Sequence, residues 1–234
     1  MTSTIVHNEE EWMILSVRLD KKERRLYHLF AEAEEPLLSV HEDILIRFRL
    51  TKGQLLTEVQ IEEIRSEDER YRSYVLAIGY LGAKPRTRKQ IEQYLSRKLF
   101  EHDNIQYALD RLEREHIVDD EQYARQFAAG RLKNGLKGRR FIKQELQQRG
   151  VSKEAAAEAI DALDDEAELA SAKKAAEKKW RSLKGETFER KRKLMGYLMR
   201  RGFPGDVVKK AIKWIDVDGA EEAFEEDDGL LLDN

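Results

Sequence analysis

The chain has 234 residues, of which 38% are charged, with three prolines and no cysteine. That length allows one large or two modest domains, and the lack of cysteine excludes disulfides, thiolate metal sites and cysteine nucleophiles. The formal charge of −3 conceals a segregation: residues 1–69 hold 9 Lys/Arg and 16 Asp/Glu, residues 70–216 hold 34 and 22, and residues 217–234 hold none and 8.

Met1 to Trp12 is polar and acidic, unlike a signal peptide. No apolar run approaches the ~18–20 residues of a membrane span, so a cytoplasmic protein is expected. Trp12–Leu19 and Leu26–Ala31 are short and rich in β-branched or aromatic residues, and a polar turn separates them, which predicts a β-hairpin. A third short strand is expected at Pro36–Leu38. Ser39 and Glu42 have capping-box spacing, as do Thr57 and Gln60; the first predicts a short helix ending near Gly53, the second a helix running through Glu67–Glu69.

From about Tyr71 the pattern becomes helical, and it is written three times. Ile142, Leu146, Ala159, Ile160 and Leu163 anchor one helix–turn–helix. About 51 residues earlier stand Ile91, Leu95, Ala108, Leu109 and Leu112, and 52 residues later Leu194, Leu198, Ala211, Ile212 and Ile215. Gly150-Val151 has a direct copy in Gly202-Phe203. A fixed period of this size marks a repeat architecture whose units stack to bury a shared core.

The first repeat is expected to place helices at Tyr74–Leu81, Lys89–Leu99 (capped by Thr87) and Ile105–Glu115 (capped by Asp103 or Asn104). The second opens on Asp119 and continues with Arg139–Arg149 and, after a cap at Ser152, Lys153–Leu163. The third runs Glu166–Leu183, Phe188–Arg201 and a helix restarting at Phe203-Pro204. The expected fold is therefore mainly α: three tandem three-helix repeats, helix–turn–helix-like, in an elongated array with a small N-terminal α/β segment. The expected boundaries are 1–69 for the N-terminal hairpin and helix, 70–118, 119–164 and 165–216 for the repeats, and 217–234 for an acidic tail.

The cations are the first functional candidates. The second helix of repeat 2 places Arg139, Arg140 and Lys143 beside its apolar face, with Lys137 leading in and Arg149 at its end. Repeat 3 echoes this with Arg190, Lys191, Arg192, Lys193, Arg200 and Arg201, and repeat 1 offers Arg86, Arg88, Lys89, Arg97 and Lys98. Any one cluster suits a solvated helix face. Recurrence at corresponding helices favours binding to a polyanion, since Lys and Arg pair with phosphates with little regard to sequence. Asp119-Asp120-Glu121 could be read as metal-binding carboxylates, but acids at a helix start more often cap amides and complement the dipole. Tyr123, Phe127, Trp180 and Trp214 are read as core residues. No phosphate-binding glycine loop or nucleophile elbow is present, the histidines lack ligand spacing, and neither cofactor, metal nor catalysis is expected.

The run Ile117-Val118-Asp119-Asp120, Tyr123-Ala124 and Phe127, a Gly/Lys loop, then Arg140, Ile142, Glu145-Leu146 and Arg149-Gly150-Val151 resembles the central signature of RecX regulatory proteins. The resemblance covers roughly residues 70–216 and includes the triple repeat. The family often has Pro after the loop glycine; here Arg139 follows Gly138 and adds a charge. The resemblance implies a non-enzymatic modulator of the RecA recombinase in DNA repair, homologous recombination and the SOS response. Such a protein would lie in the groove of the RecA–DNA filament, restrain its ATPase, strand exchange and co-protease activities, and bind single- or double-stranded DNA more weakly. The cationic candidates are Lys137, Arg139, Arg140, Lys143, Arg149, Arg190, Lys191, Lys193, Arg200 and Arg201. The runner-up is a general DNA-binding helix–turn–helix protein acting without RecA; a scaffold for an unrelated acidic protein and a nuclease using Asp119 and Asp120 follow.

Overall fold

The computed structural model describes residues 10–215. The acidic tail and the first residues of the chain lie outside this range. The chain divides into two compact units. The first comprises the residues up to Pro85 together with Ile91–Val118, and the second comprises Arg86–Gln90 together with the chain from Asp119.

The first unit opens with strands β1 (Glu11–Met13), β2 (Ser16–Leu19), β3 (Leu26–Phe30), β4 (Leu38–His41) and β5 (Leu55–Thr57), with helix α1 (Glu42–Arg47) between the last two. β2, β3 and β4 form an antiparallel sheet, and β1 pairs antiparallel with β5. The expected hairpin forms over β2 and β3, but its first arm is divided. Ile14 donates its amide to the carbonyl of Gln54, and the next amide, Leu15, donates to Phe30. The strand thus passes from one partner to another at a residue whose side chain is fully buried. The third strand starts two residues later than expected, at Leu38.

The Ser39–Glu42 capping box does not form. Ser39 lies within β4, where its hydroxyl meets Nδ1 of His28 at 2.8 Å, and pairing continues to His41 opposite Leu26. The helix therefore cannot begin before Glu42, and His41 becomes its cap, accepting from the Asp43 amide. Thr57 and Gln60 do cap each other's backbone reciprocally.

Helix α2 (Glu58–Leu81) runs unbroken for 24 residues. The sequence suggests one helix to Glu69 and another from Tyr74, yet no proline or glycine interrupts the run before Gly79. Ion pairs Arg65–Glu62 and Arg70–Glu67 stitch its acidic stretch. Asp68 is buried on its apolar side, where it accepts the His41 amide at 2.6 Å. Burial, the largest influence, raises its pKa above the ordinary carboxyl range. Helices α3 (Arg88–Arg97) and α4 (His102–Arg114) complete this repeat. The cap of α4 falls on Glu101 rather than Asp103 or Asn104. Asn104 is buried instead and donates to Glu69.

The second unit contains α5 (Asp120–Gly135), α6 (Arg139–Gln148), α7 (Lys153–Asp161), α8 (Asp165–Trp180), α9 (Thr187–Arg200) and α10 (205–215). The expected caps form at Asp119, whose side chain accepts from Gln122, and at Ser152, which accepts from Ala155. Asp164 caps α8. The three pairs read as anchors, Ile91/Leu95, Ile142/Leu146 and Leu194/Leu198, are all completely buried, each in its own repeat's core. Each such side chain contributes roughly 1.5–3 kcal/mol by leaving water.

Candidate functional site

The cations of the second unit are placed by a joint between its two repeats. Gly138, the N-cap of α6, donates its amide to the Arg201 carbonyl at 2.9 Å, and Arg140 donates to Gly202 at 3.1 Å. The contact is closed to any larger residue. A Cβ on Gly138 would meet the Phe203 nitrogen at 2.4 Å, and one on Gly202 would meet the Phe141 nitrogen at 2.3 Å. Gly202 also holds φ +85, a conformation side chains resist. A Pro in place of Arg139 would remove an amide that here donates to Glu168 at 2.9 Å.

Arg139 is held inside this joint. Its guanidinium meets Asp165 at 2.6 Å and Glu168 at 3.3 Å and donates to the Leu163 carbonyl. Glu168 is almost fully buried, and that burial, the largest influence, raises its pKa despite the amide and guanidinium of Arg139. A parallel contact lies at the other end of the second unit. The Arg88 amide, at the start of α3, donates to Asp120 Oδ1 at 2.9 Å, and the Thr87 hydroxyl donates to the Arg149 carbonyl. In both places a carboxylate near the start of a first helix, on α5 or α8, satisfies the leading amide of the second helix before it. Asp119 and Asp120 are thereby accounted for as caps. Among the described residues no group of three or more His, Asp or Glu could hold a metal ion.

The ten candidate cations separate by environment. Arg149 donates to the Tyr123 hydroxyl at 3.2 Å and lies over the Phe127 ring at 4.6 Å. Arg190 covers the Trp180 ring at 3.8 Å and donates to the Trp180 carbonyl. With Arg139, these arginines face their own protein. Arg140 and Arg200 are exposed, and Lys143 is half-buried. Lys193 is exposed, with Glu189 one turn back at 3.7 Å, and Lys191 is half-buried.

Lys137 and Arg201 come together at the joint. The Lys137 ammonium sits 3.6 Å above the Phe141 ring, and Arg201 lies over Tyr197 and donates to the Gly135 carbonyl. Burial and then the charge of Arg201 lower the Lys137 pKa, with Arg131 adding to the effect and Glu145 opposing it. Glu145 is itself paired with Arg131 at 2.8 Å. This corner holds more positive charge than its own acids balance, and an anion placed there would relieve the repulsion.

The sequence reading named cations on α6 and α9 but not Glu168 or Asp165, the acids that hold Arg139. Glu168 was legible in one respect: with Ser171, Ala172, Ala175 and Ala176 it lies on the buried stripe of α8. A carboxylate at a core-facing position needs a partner.

No helix among the described residues is long and apolar enough to cross a membrane. Tandem three-helix units, joined by backbone hydrogen bonds between Gly138 and Arg201 and between Arg140 and Gly202, define a helical-repeat protein. Residues 74–112, 119–160 and 166–212 match, in order, the first, second and third three-helix domains of RecX. The chain is 32% identical over 199 residues to the regulatory protein RecX of Listeria monocytogenes serovar 1/2a, covering 85% of this chain and 74% of that one. It is 31% identical to that of Streptococcus gordonii, covering 88% and 79%. A crystal structure of a regulatory protein RecX superposes with TM-score 0.69 at 27% identity, over 85% of this chain and 97% of that one. RecX from Lactobacillus salivarius shares the fold, with TM-score 0.59 at 24% identity, over 64% and 99%. The chain belongs to the RecX family of regulatory proteins.

Proposed function

We propose that this protein regulates RecA by seating the cationic side of its repeats on the RecA–DNA filament, which restrains ATP hydrolysis, strand exchange and co-protease activity. Family membership supports RecA as the target. The observation that supports the contact surface is the Lys137–Arg201 corner, where the Lys137 ammonium sits 3.6 Å over the Phe141 ring, Arg201 donates to the Gly135 carbonyl, and the nearby Glu145 is already paired with Arg131. Phosphate oxygens of DNA or carboxylates of a filament subunit would answer that charge.

In this account Lys137, Arg140, Lys143, Lys191, Lys193, Arg200 and Arg201 meet the filament. Arg139, Arg149 and Arg190 hold the helices that present them. Contacts along several repeats add up without any single strong site.

RecA ATPase on single-stranded DNA tests this, with and without stoichiometric protein, at several salt concentrations. Restraint of hydrolysis is expected. Binding to bare DNA with a steep salt slope and no effect on RecA would transfer the surface to DNA alone.

A further inference from the structure

The first unit carries a cationic cleft of its own. A cavity of about 360 Å³ is lined by Glu23, Arg24, Arg25, Leu26, His41 and Arg72. Residues 1–69 are acidic as a whole, yet four of their nine Lys/Arg, namely Lys21, Lys22, Arg24 and Arg25, fall in the turn between β2 and β3. Arg72 adds a third guanidinium from α2. These three arginines are exposed, and among the described residues none of them is in an ion pair. Glu23 is the one acid in the lining. Asp68, one turn before Arg72, spends an oxygen on the His41 amide at 2.6 Å.

The backbone that carries these cations is fixed. The Asp20 side chain accepts the Lys22 and Glu23 amides at 2.6 and 2.7 Å. Leu26 donates to the Glu23 carbonyl at 3.1 Å, and the Arg25 carbonyl accepts the Glu42 amide at 2.8 Å, which ties the turn to the start of α1. The His41 side chain is 12% exposed, and its ring lies 5.1 Å from that of Tyr71. A turn held in this way loses little further freedom when a ligand arrives.

Guanidiniums gathered without acid partners repel one another, and an oxyanion among them relieves the repulsion and accepts paired hydrogen bonds. A carboxylate presents its two oxygens to one side. Phosphate oxygens are tetrahedral and can meet guanidiniums that arrive from two elements, here the turn and α2. No Phe, Tyr or Trp lines the cavity, so a base has no stacking platform and the phosphate itself is what is recognised. The exposed Lys21 and Lys22 extend the charge beyond the lining. A strand with successive phosphates gains from them, and a lone phosphate does not.

We propose that the Arg24–Arg25–Arg72 cleft binds a backbone phosphate of a nucleic-acid strand, beside His41 and without regard to base sequence. The site stands on the first unit alone. That the strand is the one inside a RecA filament rests on the function proposed above.

His41 is a reporter within the lining, and His28, held by Asp20 and Ser39, reports on the shape of the turn. Ring ¹H–¹³C spectra of the full chain are recorded as short oligothymidylate, inorganic phosphate or oligoglutamate is added. Oligothymidylate should shift His41 at a concentration at least about tenfold below inorganic phosphate, because neighbouring phosphates add contacts. Arg72→Gln, and separately Arg24→Gln with Arg25→Gln, should each weaken that response at least about tenfold with His28 in place. A His41 signal unmoved by oligothymidylate, or a response undiminished in both variants, would overturn the proposal. Inorganic phosphate or oligoglutamate as effective as the oligonucleotide would overturn the assignment to a strand. A His41 response as expected, with RecA ATPase untouched by the protein, would leave this site standing and remove the filament function; restrained ATPase with His41 silent would do the reverse.

Discussion

Glu168 holds Arg139 twice. One oxygen accepts the backbone amide at 2.9 Å and the other lies 3.3 Å from the guanidinium nitrogen, though 29 residues separate the two. This relationship makes the α6–α8 joint a fixed element and separates Arg139 from the adjacent Arg140, which faces solvent.

Arg139→Ala should therefore act on stability. It strands a Glu168 carboxylate whose side chain is 2% exposed, and breaking such a pair from one side costs about 3 kcal/mol. Arg140→Ala should change stability by less than about 0.5 kcal/mol. Urea unfolding followed by Trp180 and Trp214 fluorescence in a Trp12→Phe background measures both. The Arg139→Ala deficit should shrink as the pH falls, because protonation neutralises the stranded carboxyl. Equal effects of the two substitutions would show that the joint is not held as described.

The three copies of the turn after the second helix make a second comparison. Gly202 has φ +85 and no room for a Cβ, so Gly202→Ala should destabilise the second unit by about 3 kcal/mol. In the first copy the corresponding residue is Leu99, at φ 65 and 89% exposed. Leu99→Gly should stabilise by roughly 0.5 kcal/mol, since relief of a ~1–2 kcal/mol left-handed penalty exceeds the extra chain entropy of glycine. Thermal unfolding of the two variants gives opposite signs if the turns differ in this way.

The repeats were legible because burial imposes a period. Ile91, Ile142 and Leu194 repeat at nearly constant spacing, and Gly150 and Gly202 mark the ends of α6 and α9 with positive φ. The division of the arginines was not legible. Arg139 and Arg140 are identical neighbours, and what distinguishes them is a pair of acids on α8, Asp165 and Glu168, brought near only by the fold. The start of α1 was hidden for a similar reason: the Ser39–His28 contact and the β3–β4 register, not local capping chemistry, decide where the strand ends.

Asp20 provides a pH prediction in the first unit. The side-chain hydrogen bond from His28, then the backbone amides of Glu23 and Lys22, lower its pKa from 3.8 to about 2. A depressed carboxyl stabilises the fold above its unfolded value and loses that contribution as the pH falls through the folded one. Stability should thus decline between about pH 4 and pH 2, and Asp20→Asn should lose that part of the dependence. Urea midpoints across this range test it; identical acid dependence in the two proteins would assign the decline to other groups.

The central claim is that the cationic side of the repeats restrains RecA, and RecA ATPase on single-stranded DNA tests it most directly. The protein should lower hydrolysis, and Lys137→Ala, Arg140→Ala and Lys143→Ala together should weaken the effect at least about tenfold, or ~1.4 kcal/mol, with helicity retained. ATPase unchanged by the protein at every salt concentration, or inhibition undiminished in the triple variant, would contradict the account.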